Sequence, residues 1–208
     1  MSGRTAGRAT PLRELHRRVM EVTTAVVNTV GSGRLTLPTP CAAWNLGQLL
    51  AHMTGQNHGF AAVARGEKED ASVFADRPVG DDPAGIFAAS AREVTAAFAE
   101  EGVLEREFWL PEIRKVRGFP ARLGIGFHFI DYLVHGWDVA VSIGAGIRFD
   151  DEVLTTALPI AEAVPDGSPR TLAGAAFAPG LAAARDAVPL DRILTLLGRD
   201  PLWGAPQL

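Results

Sequence analysis

Apolar residues recur at alternating intervals of three and four near the start of this chain, and this spacing constrains the fold more than any other feature. The stripe consists of Leu12, Leu15, Val19, Val22 and Val26. Residues at these intervals share one face of an α-helix, so the segment predicts an amphipathic helix with one buried side. Thr10 and Pro11 predict its start, because threonine caps helices and proline is tolerated in the first turn. We expect the helix to end near Gly31.

Three further segments show helical spacing of apolar residues. The second helix is expected from Asn45 to Gly66, the third between Pro83 and Gly102, and the fourth from Pro120 to Gly144. The stretch from Val103 to Gly118 has no clear period and predicts a connection with a short strand. Four amphipathic helices can bury their apolar faces against one another. The sequence therefore predicts a mainly α fold, with a four-helix bundle over residues 1–146.

Residues 147–208 differ from the bundle in their proline content. We expect a helix from Asp150 to Ala163, then an irregular stretch with several prolines, then a short helix from Leu190 to Leu197. These residues are predicted to be a short C-terminal extension, partly helical and partly irregular, that packs on the bundle.

Charge and composition exclude some partners. The chain has 208 residues and a formal net charge of −4, so it offers no basic field for nucleic acid or anionic lipid. Its first ten residues have no apolar signal core, and no stretch is apolar enough for a membrane span. The single cysteine, Cys41, excludes an internal disulfide. We expect a cytoplasmic protein, a monomer or homodimer, with a small-molecule substrate and neither nucleic acid nor membrane as a partner.

Two residues of the fourth helix and one of the second predict a metal site. Asp131 and His135 are four apart, so they lie on one helical face and can reach a common ion. His52, beside the apolar stripe of the second helix, is the natural third ligand. Two imidazoles and one carboxylate suit zinc hydrolytic or thiol chemistry, or iron(II). The alternative is that these residues are only the polar edge of a helix.

Three sequence blocks resemble a known family. They are Thr39-Pro40-Cys41-Ala42-Ala43-Trp44 leading into Leu49-Leu50-Ala51-His52, then His135-Gly136-Trp137-Asp138-Val139-Ala140, then Leu197-Gly198-Arg199-Asp200-Pro201. In order and rough spacing they resemble the actinobacterial DinB-like metal-binding proteins related to mycothiol-dependent maleylpyruvate isomerase. The resemblance covers nearly the whole chain.

The resemblance implies a DinB-like four-helix bundle holding one divalent metal through His52, Asp131 and His135. Zinc is the first expectation, with nickel and iron as alternatives. The isomerase relatives usually have glutamate where this chain has Asp131, which leaves His128 as an alternative ligand. The family implies mycothiol as a cosubstrate and activity as a thiol-dependent isomerase or S-transferase. The short C-terminal part matches no full second domain, so maleylpyruvate itself is not the expected substrate.

Other functions and roles remain open from the sequence. The chain is alternatively a non-catalytic metal-binding protein, or a metalloenzyme of secondary metabolism that uses no thiol. Asp138 either orients a metal-bound histidine or makes a cap or local salt bridge. The two tryptophans of the matching blocks, Trp44 and Trp137, either wall the site or belong to the core, and Cys41 is interpreted as a small buried residue and not a nucleophile. His16 and His58 are expected to be surface residues or incidental ones.

Overall fold

A computed structural model describes residues 10–41, 44–114, 117–171 and 175–204 of the chain. The described residues form six α-helices and one two-stranded ribbon. The helices are α1 (Leu12–Val27), α2 (Leu46–Ala64), α3 (Pro83–Ala99), α4 (Ala121–Ser142), α5 (Asp151–Ala163) and α6 (Pro189–Leu196). Strands β1 (Glu107–Phe108) and β2 (Phe119–Pro120) pair antiparallel, with Phe108 opposite Phe119. The predicted mainly α fold is confirmed, and β1 lies in the stretch predicted as a connection with a short strand.

Helices α1 to α4 form the bundle. α1 packs against α3 and α4, and α2 packs against the same two helices. Phe87, Phe98, Phe129 and Tyr132 are among the large side chains that are fully buried between them. Each such side chain contributes about 1.5–3 kcal/mol through removal from water, so this core supplies most of the folding free energy. No helix in the described part of the chain is both long enough and apolar enough to cross a membrane.

Side-chain caps fix where several helices begin. Asn45 accepts a hydrogen bond from the Gln48 backbone N–H at 2.9 Å, and the Gln48 side chain accepts one from the Asn45 N–H at 3.0 Å. This reciprocal capping box starts α2 where the sequence predicts it. In α1 the residue before the helix is Pro11, and no side chain caps it. The capping role predicted for Thr10 is therefore wrong, because the helix begins one residue too late for Thr10 to reach it.

Two glycines on one face of α2 let a loop approach the helix closely. A Cβ on Gly55 would lie 2.4 Å from the Ala75 carbonyl oxygen, and one on Gly59 would lie 2.2 Å from the Phe74 ring. Both distances are too short for any side chain. The Arg77 N–H also donates to the Ala51 carbonyl at 2.9 Å. The glycines therefore hold the loop against α2, at the level where the metal-ligand candidate of this helix lies.

The C-terminal extension is anchored by a buried arginine. α5 packs on α1 and α4, and α6 packs on α5. The Arg170 side chain is 7% exposed and donates hydrogen bonds to four backbone carbonyls, those of Val164, Pro165, Ala178 and Leu196. Since these carbonyls come from three separate parts of the extension, the guanidinium joins its irregular stretch to both of its helices.

Candidate metal centre

The structure brings together the three residues predicted as metal ligands. One donor atom from each of His52, Asp131 and His135 lies within 4.8 Å of the other two. Asp131 and His135 are one turn apart on α4, and the Asp131 Oδ1 atom is 3.4 Å from His135 Nε2. Because zinc–ligand bonds are about 2.0–2.2 Å long, the three donors would have to move closer together to bind one ion. The donor set, two imidazoles and one carboxylate, suits a divalent metal.

His135 is held with one ring nitrogen directed at this cluster. The residue is 1% exposed, and its Nδ1 atom donates to Asp138 Oδ2 at 2.9 Å. In the neutral form of the ring the Nε2 atom therefore carries the lone pair, and this atom faces Asp131. Burial opposes a charge on this ring, yet the carboxylates of Asp131 and Asp138 outweigh burial and raise the pKa of His135. The two carboxylates therefore favour positive charge near the Nε2 atom. The same field would favour binding of a metal cation there.

Asp138 is in turn held by an arginine of the extension. The Nε atom of Arg199 donates to the two Asp138 oxygens at 3.0 and 3.2 Å, and Nη2 donates to Oδ2 at 3.1 Å. Both side chains are buried, at 0% and 3% exposure. Of the roles left open for Asp138, the structure shows both the hydrogen bond that orients His135 and a salt bridge. Sequence reasoning gave Arg199 no role, although it lies in the third matching block.

His52 reaches the cluster from α2 and is supported on two sides. Its Nδ1 atom lies 3.4 Å from Asp76 Oδ1, and its ring lies 4.5 Å from the Trp44 ring, centroid to centroid. Burial, with His135 close by, lowers the pKa of His52, so its ring is neutral and free to bind a cation. Trp44 thus walls the site, whereas Trp137 belongs to the core. No sequence signal marked Asp76. Its position near His52 depends on a loop, and this loop can approach α2 closely because that helix has glycines at the contact.

A further carboxyl group, that of Glu112, lies near Asp131 and Asp76. Gln56 follows His52 by one helical turn, and its Nε2 atom donates to Glu112 Oε2 at 3.4 Å. Removal of this carboxyl group from water, with Asp131 and Asp76 nearby, raises the pKa of Glu112, although the residue as a whole is exposed. Burial and the nearby carboxylates thus favour the protonated form of this carboxyl group more than water does. It lies in the aperiodic connection, where sequence patterns give no position.

Two of the other histidines form a separate pair. His128 is 1% exposed, and its Nδ1 atom lies 2.9 Å from the Nε2 atom of His16 on α1. It faces α1 and does not belong to the cluster of metal-ligand candidates. The prediction that His16 lies at the surface is wrong, because the ring is fully buried on the edge of the α1 stripe. His58 lies partly exposed and 2.7 Å from Glu93, as expected of a surface residue.

Cys41 lies beside the centre but is not activated. It is half-buried, and burial raises the pKa of its thiol, which the Arg199 charge only partly opposes. A thiol that keeps its proton is a weak nucleophile. The structure thus favours the interpretation of Cys41 as a small packing residue.

A helical bundle with a histidine–carboxylate cluster between two of its helices defines a class of protein with a candidate metal centre. Comparison with known proteins identifies the family. Residues 12–140 match the family described as the mycothiol maleylpyruvate isomerase N-terminal domain. The match spans more than half of the sequence, so the chain belongs to this family. The relationship inferred from the three sequence blocks is confirmed.

Individual relatives agree with this assignment. The chain is 28% identical over 189 residues to the uncharacterized proteins MT0763 and Rv0738 of Mycobacterium tuberculosis, strains CDC 1551 / Oshkosh and H37Rv. The alignment covers 88% of this chain and 95% of each relative. The crystal structure of the mycothiol-dependent maleylpyruvate isomerase superimposes with a TM-score of 0.57 at 15% identity, over 74% of this chain and 69% of that one. This likeness establishes a shared fold.

Proposed function

We propose that the chain is a divalent-metal-binding enzyme that uses a low-molecular-weight thiol, mycothiol, to act on a small electrophile. The observation that carries the proposal is the cluster of His52, Asp131 and His135, with the Nε2 lone pair of His135 directed into it. The family supplies the identity of the thiol, since both the matching family and the structural neighbour are named for mycothiol. The activity is that of an isomerase or an S-transferase.

The three side chains would hold zinc as the first choice, and the same donors also accept nickel or iron. A divalent ion bound there lowers the pKa of a coordinated thiol. Asp138 keeps His135 in the tautomer that offers Nε2. The Trp44 ring covers one side of the cluster and limits the entry of water.

Glu112 supplies a place for the thiol proton. Its carboxyl group lies close to Asp131 and Asp76, and the raised pKa lets it hold a proton at an Oε atom and return it at the end of the reaction. Gln56 fixes its position by donating to Oε2. The chain thus provides a proton acceptor beside the cluster without using a ligand for that purpose.

The thiolate then attacks a carbon–carbon double bond conjugated to a carbonyl. A new S–C bond forms, the former double bond becomes a single bond that rotates, and loss of the thiolate restores the double bond in its other geometry. The thiol returns unchanged, so no oxidant or reductant is needed. If instead the adjacent carbon takes up the proton held by Glu112, the S–C bond persists and the outcome is thiol transfer.

Metal content tests the first half of the proposal. We expect about one divalent ion per chain in the wild type by elemental analysis, and loss of the ion in His52→Ala and His135→Ala. His58→Ala is the matched control, because His58 pairs with Glu93 outside the cluster. Wild-type metal content in both cluster variants would show that the ligands are assigned wrongly.

Cobalt substitution tests the thiol. Titration of the cobalt-loaded protein with mycothiol should produce a sulfur-to-cobalt charge-transfer band, and the band should be absent in His135→Ala. Assays with electrophilic acceptors would then separate isomerase from transferase activity. Absence of the band at millimolar thiol, in folded and metal-loaded protein, would contradict the thiol mechanism and favour a non-catalytic or thiol-independent metal protein.

A further inference from the structure

A buried ion pair joins the C-terminal extension to the candidate metal centre. Arg199 and Asp138 are 61 residues apart in the chain, and three N–O distances between them fall in the range of 3.0–3.2 Å. The pair is fully enclosed, so it is not a surface contact weakened by solvent. Because Asp138 accepts a hydrogen bond from His135, an interaction that fixes Asp138 also fixes His135.

Arg199 is itself held firmly in the extension. Its Nη1 atom donates to the Leu197 carbonyl at 3.3 Å. Leu197 is fully buried, as are Ile193 and Leu194 in the helix before it. The guanidinium therefore has a fixed position relative to α6, and its planar fork meets the carboxylate of Asp138 along both oxygens.

The hydrogen bonds from Arg199 hold the carboxylate of Asp138 in its orientation. The Oδ2 atom accepts from Arg199 and also from His135 Nδ1 at 2.9 Å. Without the guanidinium the carboxylate would be a buried charge with a single remaining partner, and it would turn toward water. The His135 ring would then lose the acceptor that keeps its proton on Nδ1, and the lone pair on Nε2 would no longer be fixed.

We propose that Arg199 is a positioning residue for the metal centre, acting through Asp138 to fix the tautomer and orientation of His135. Metal binding and docking of the C-terminal extension are thereby coupled, and the coupling is reciprocal: the docked extension raises metal affinity, and the metal stabilises the docked extension. This inference rests on the proposed metal site. Arg199 is not one of the proposed ligands, so distances between the ligand atoms do not reveal its role.

The test compares Arg199→Ala, Arg199→Lys and Arg192→Ala in the full chain. Arg192 lies in α6, but its side chain is half-exposed and forms a salt bridge with Glu162 at 3.5 Å, away from Asp138, so it is the matched control. The first readout is the zinc dissociation constant, from competition with a chromophoric chelator. The second is the His135 tautomer in metal-free protein, from ring ¹⁵N NMR shifts at one pH above the range in which histidine titrates.

We expect Arg199→Ala to weaken zinc binding by about 10- to 100-fold, the usual effect of removing a group that orients a ligand. Arg199→Lys should give a smaller loss, because an ammonium keeps the charge but lacks the fork. Wild-type His135 should carry its proton on Nδ1, and Arg199→Ala should show both tautomers. Arg192→Ala should match the wild type in both readouts.

Several outcomes would overturn the proposal. Wild-type zinc affinity in both Arg199 variants would do so, and so would an equal loss in Arg192→Ala, since any disturbance of the extension would then be sufficient. If Arg199→Ala does not fold, Arg199→Lys gives the answer. If the wild type binds none of zinc, nickel and iron, the proposed function fails, and the NMR readout decides the positioning role alone: an unchanged tautomer in the variants refutes it.

Discussion

The imidazole rings of His16 and His128 meet inside the bundle, with Nε2 of the first 2.9 Å from Nδ1 of the second. The Tyr132 ring stacks on His128 at 4.0 Å, and Phe98 contacts both histidines. Within the described residues, the two remaining ring nitrogens have no hydrogen-bond partner. Burial lowers the pKa of His16 to about 3 and lowers that of His128 well below its ordinary value. The pair is therefore neutral and linked by one shared hydrogen bond.

This pair should make the bundle sensitive to acid. The unfolded chain binds protons on both rings below about pH 6.5, whereas folded His16 binds one only near pH 3. Because the unfolded state binds more protons, the stabilisation is complete above about pH 6.5 and is lost as the pH falls toward 3. We expect up to about 1.4 kcal/mol of lost stability per pH unit for each histidine. Urea unfolding at a series of pH values measures it.

Variants isolate the contribution of the pair. His16→Leu alone should cost about 1–3 kcal/mol at neutral pH, since it leaves His128 buried without a partner. His16→Leu combined with His128→Leu should be less harmful than the sum of the single changes, and its acid slope should be shallower than that of the wild type. An unchanged slope in the double variant would show that other groups cause the acid sensitivity.

Asp131 should control both metal affinity and the pKa of His135. Asp131→Ala removes a proposed ligand, so zinc affinity should fall by at least about 10-fold, with exposed Asp151→Ala as the control. In metal-free protein the same change should lower the pKa of His135, because Asp131 is one of the two carboxylates that raise it. An NMR titration of the ring measures the shift, and an unaltered pKa would contradict the electrostatic assignment.

The stabilisation that Asp131 provides through His135 should depend on pH with the opposite sign to that of the histidine pair. A raised pKa for His135 means that the folded state holds its proton more tightly, so this stabilisation is present below about pH 6.5 and is lost as the pH rises through the folded pKa. The difference in unfolding free energy between metal-free wild type and Asp131→Ala should therefore be larger at acidic pH and should shrink at alkaline pH.

Gly55→Ala should destabilise the fold and displace the loop that carries Asp76. The new Cβ would lie 2.4 Å from the Ala75 carbonyl oxygen, and helix and loop backbones must separate to admit it. Overpacking of this kind costs about 1–3 kcal/mol, measured by urea denaturation. Gly126→Ala is the helical control, since its Cβ would meet side chains only at 3.9 and 4.0 Å, and it should be neutral or stabilising. Equal stabilities of the two variants would contradict the close-approach role.

Arg170→Met should loosen the extension without unfolding the bundle. It removes the charged donor from four backbone carbonyls, at a cost of about 3 kcal/mol. Amide exchange in residues 175–204 should then accelerate by roughly 100-fold, notably at the Leu181 N–H, which donates to the Thr195 carbonyl at 2.8 Å. Arg185→Met, an exposed arginine of the same segment, should leave exchange unchanged. Faster exchange throughout α1 to α4 would show that the extension is part of the bundle's cooperative unit.

The helices could be predicted because their signals are local. A cap such as Asn45, and apolar residues repeating every three or four positions, act within a few residues and need no knowledge of the rest of the chain. The same locality explains why Asp131 and His135 could be paired. It also explains the error at His16: a polar residue at the edge of an apolar stripe is buried or exposed according to which helix packs beside it, and α4 could not be placed from the α1 sequence.

The rest of the candidate site depends on contacts distant in sequence. Asp76 is close to His52 only because glycines on α2 admit a loop. Glu112 belongs to the connection before β2, and it meets Gln56 of α2 although 56 residues separate them in the chain. Arg199 contacts Asp138 although 61 residues separate them in the chain. No periodicity or spacing encodes such contacts. Only the resemblance of the third sequence block to the family marked the neighbourhood of Arg199.

The contact between Asp138 and Arg199 also bears on how the protein is made. Ribosomes deliver a chain from its N-terminus, and the early part begins to fold during synthesis. All four bundle helices leave the ribosome before residue 199 does, so the nascent bundle holds Asp138 as a charge with no guanidinium partner. During that interval the unpaired charge should destabilise the end of α4. Binding of the nascent chain by chaperones, or its early cleavage, should therefore concentrate there and cease once the extension docks.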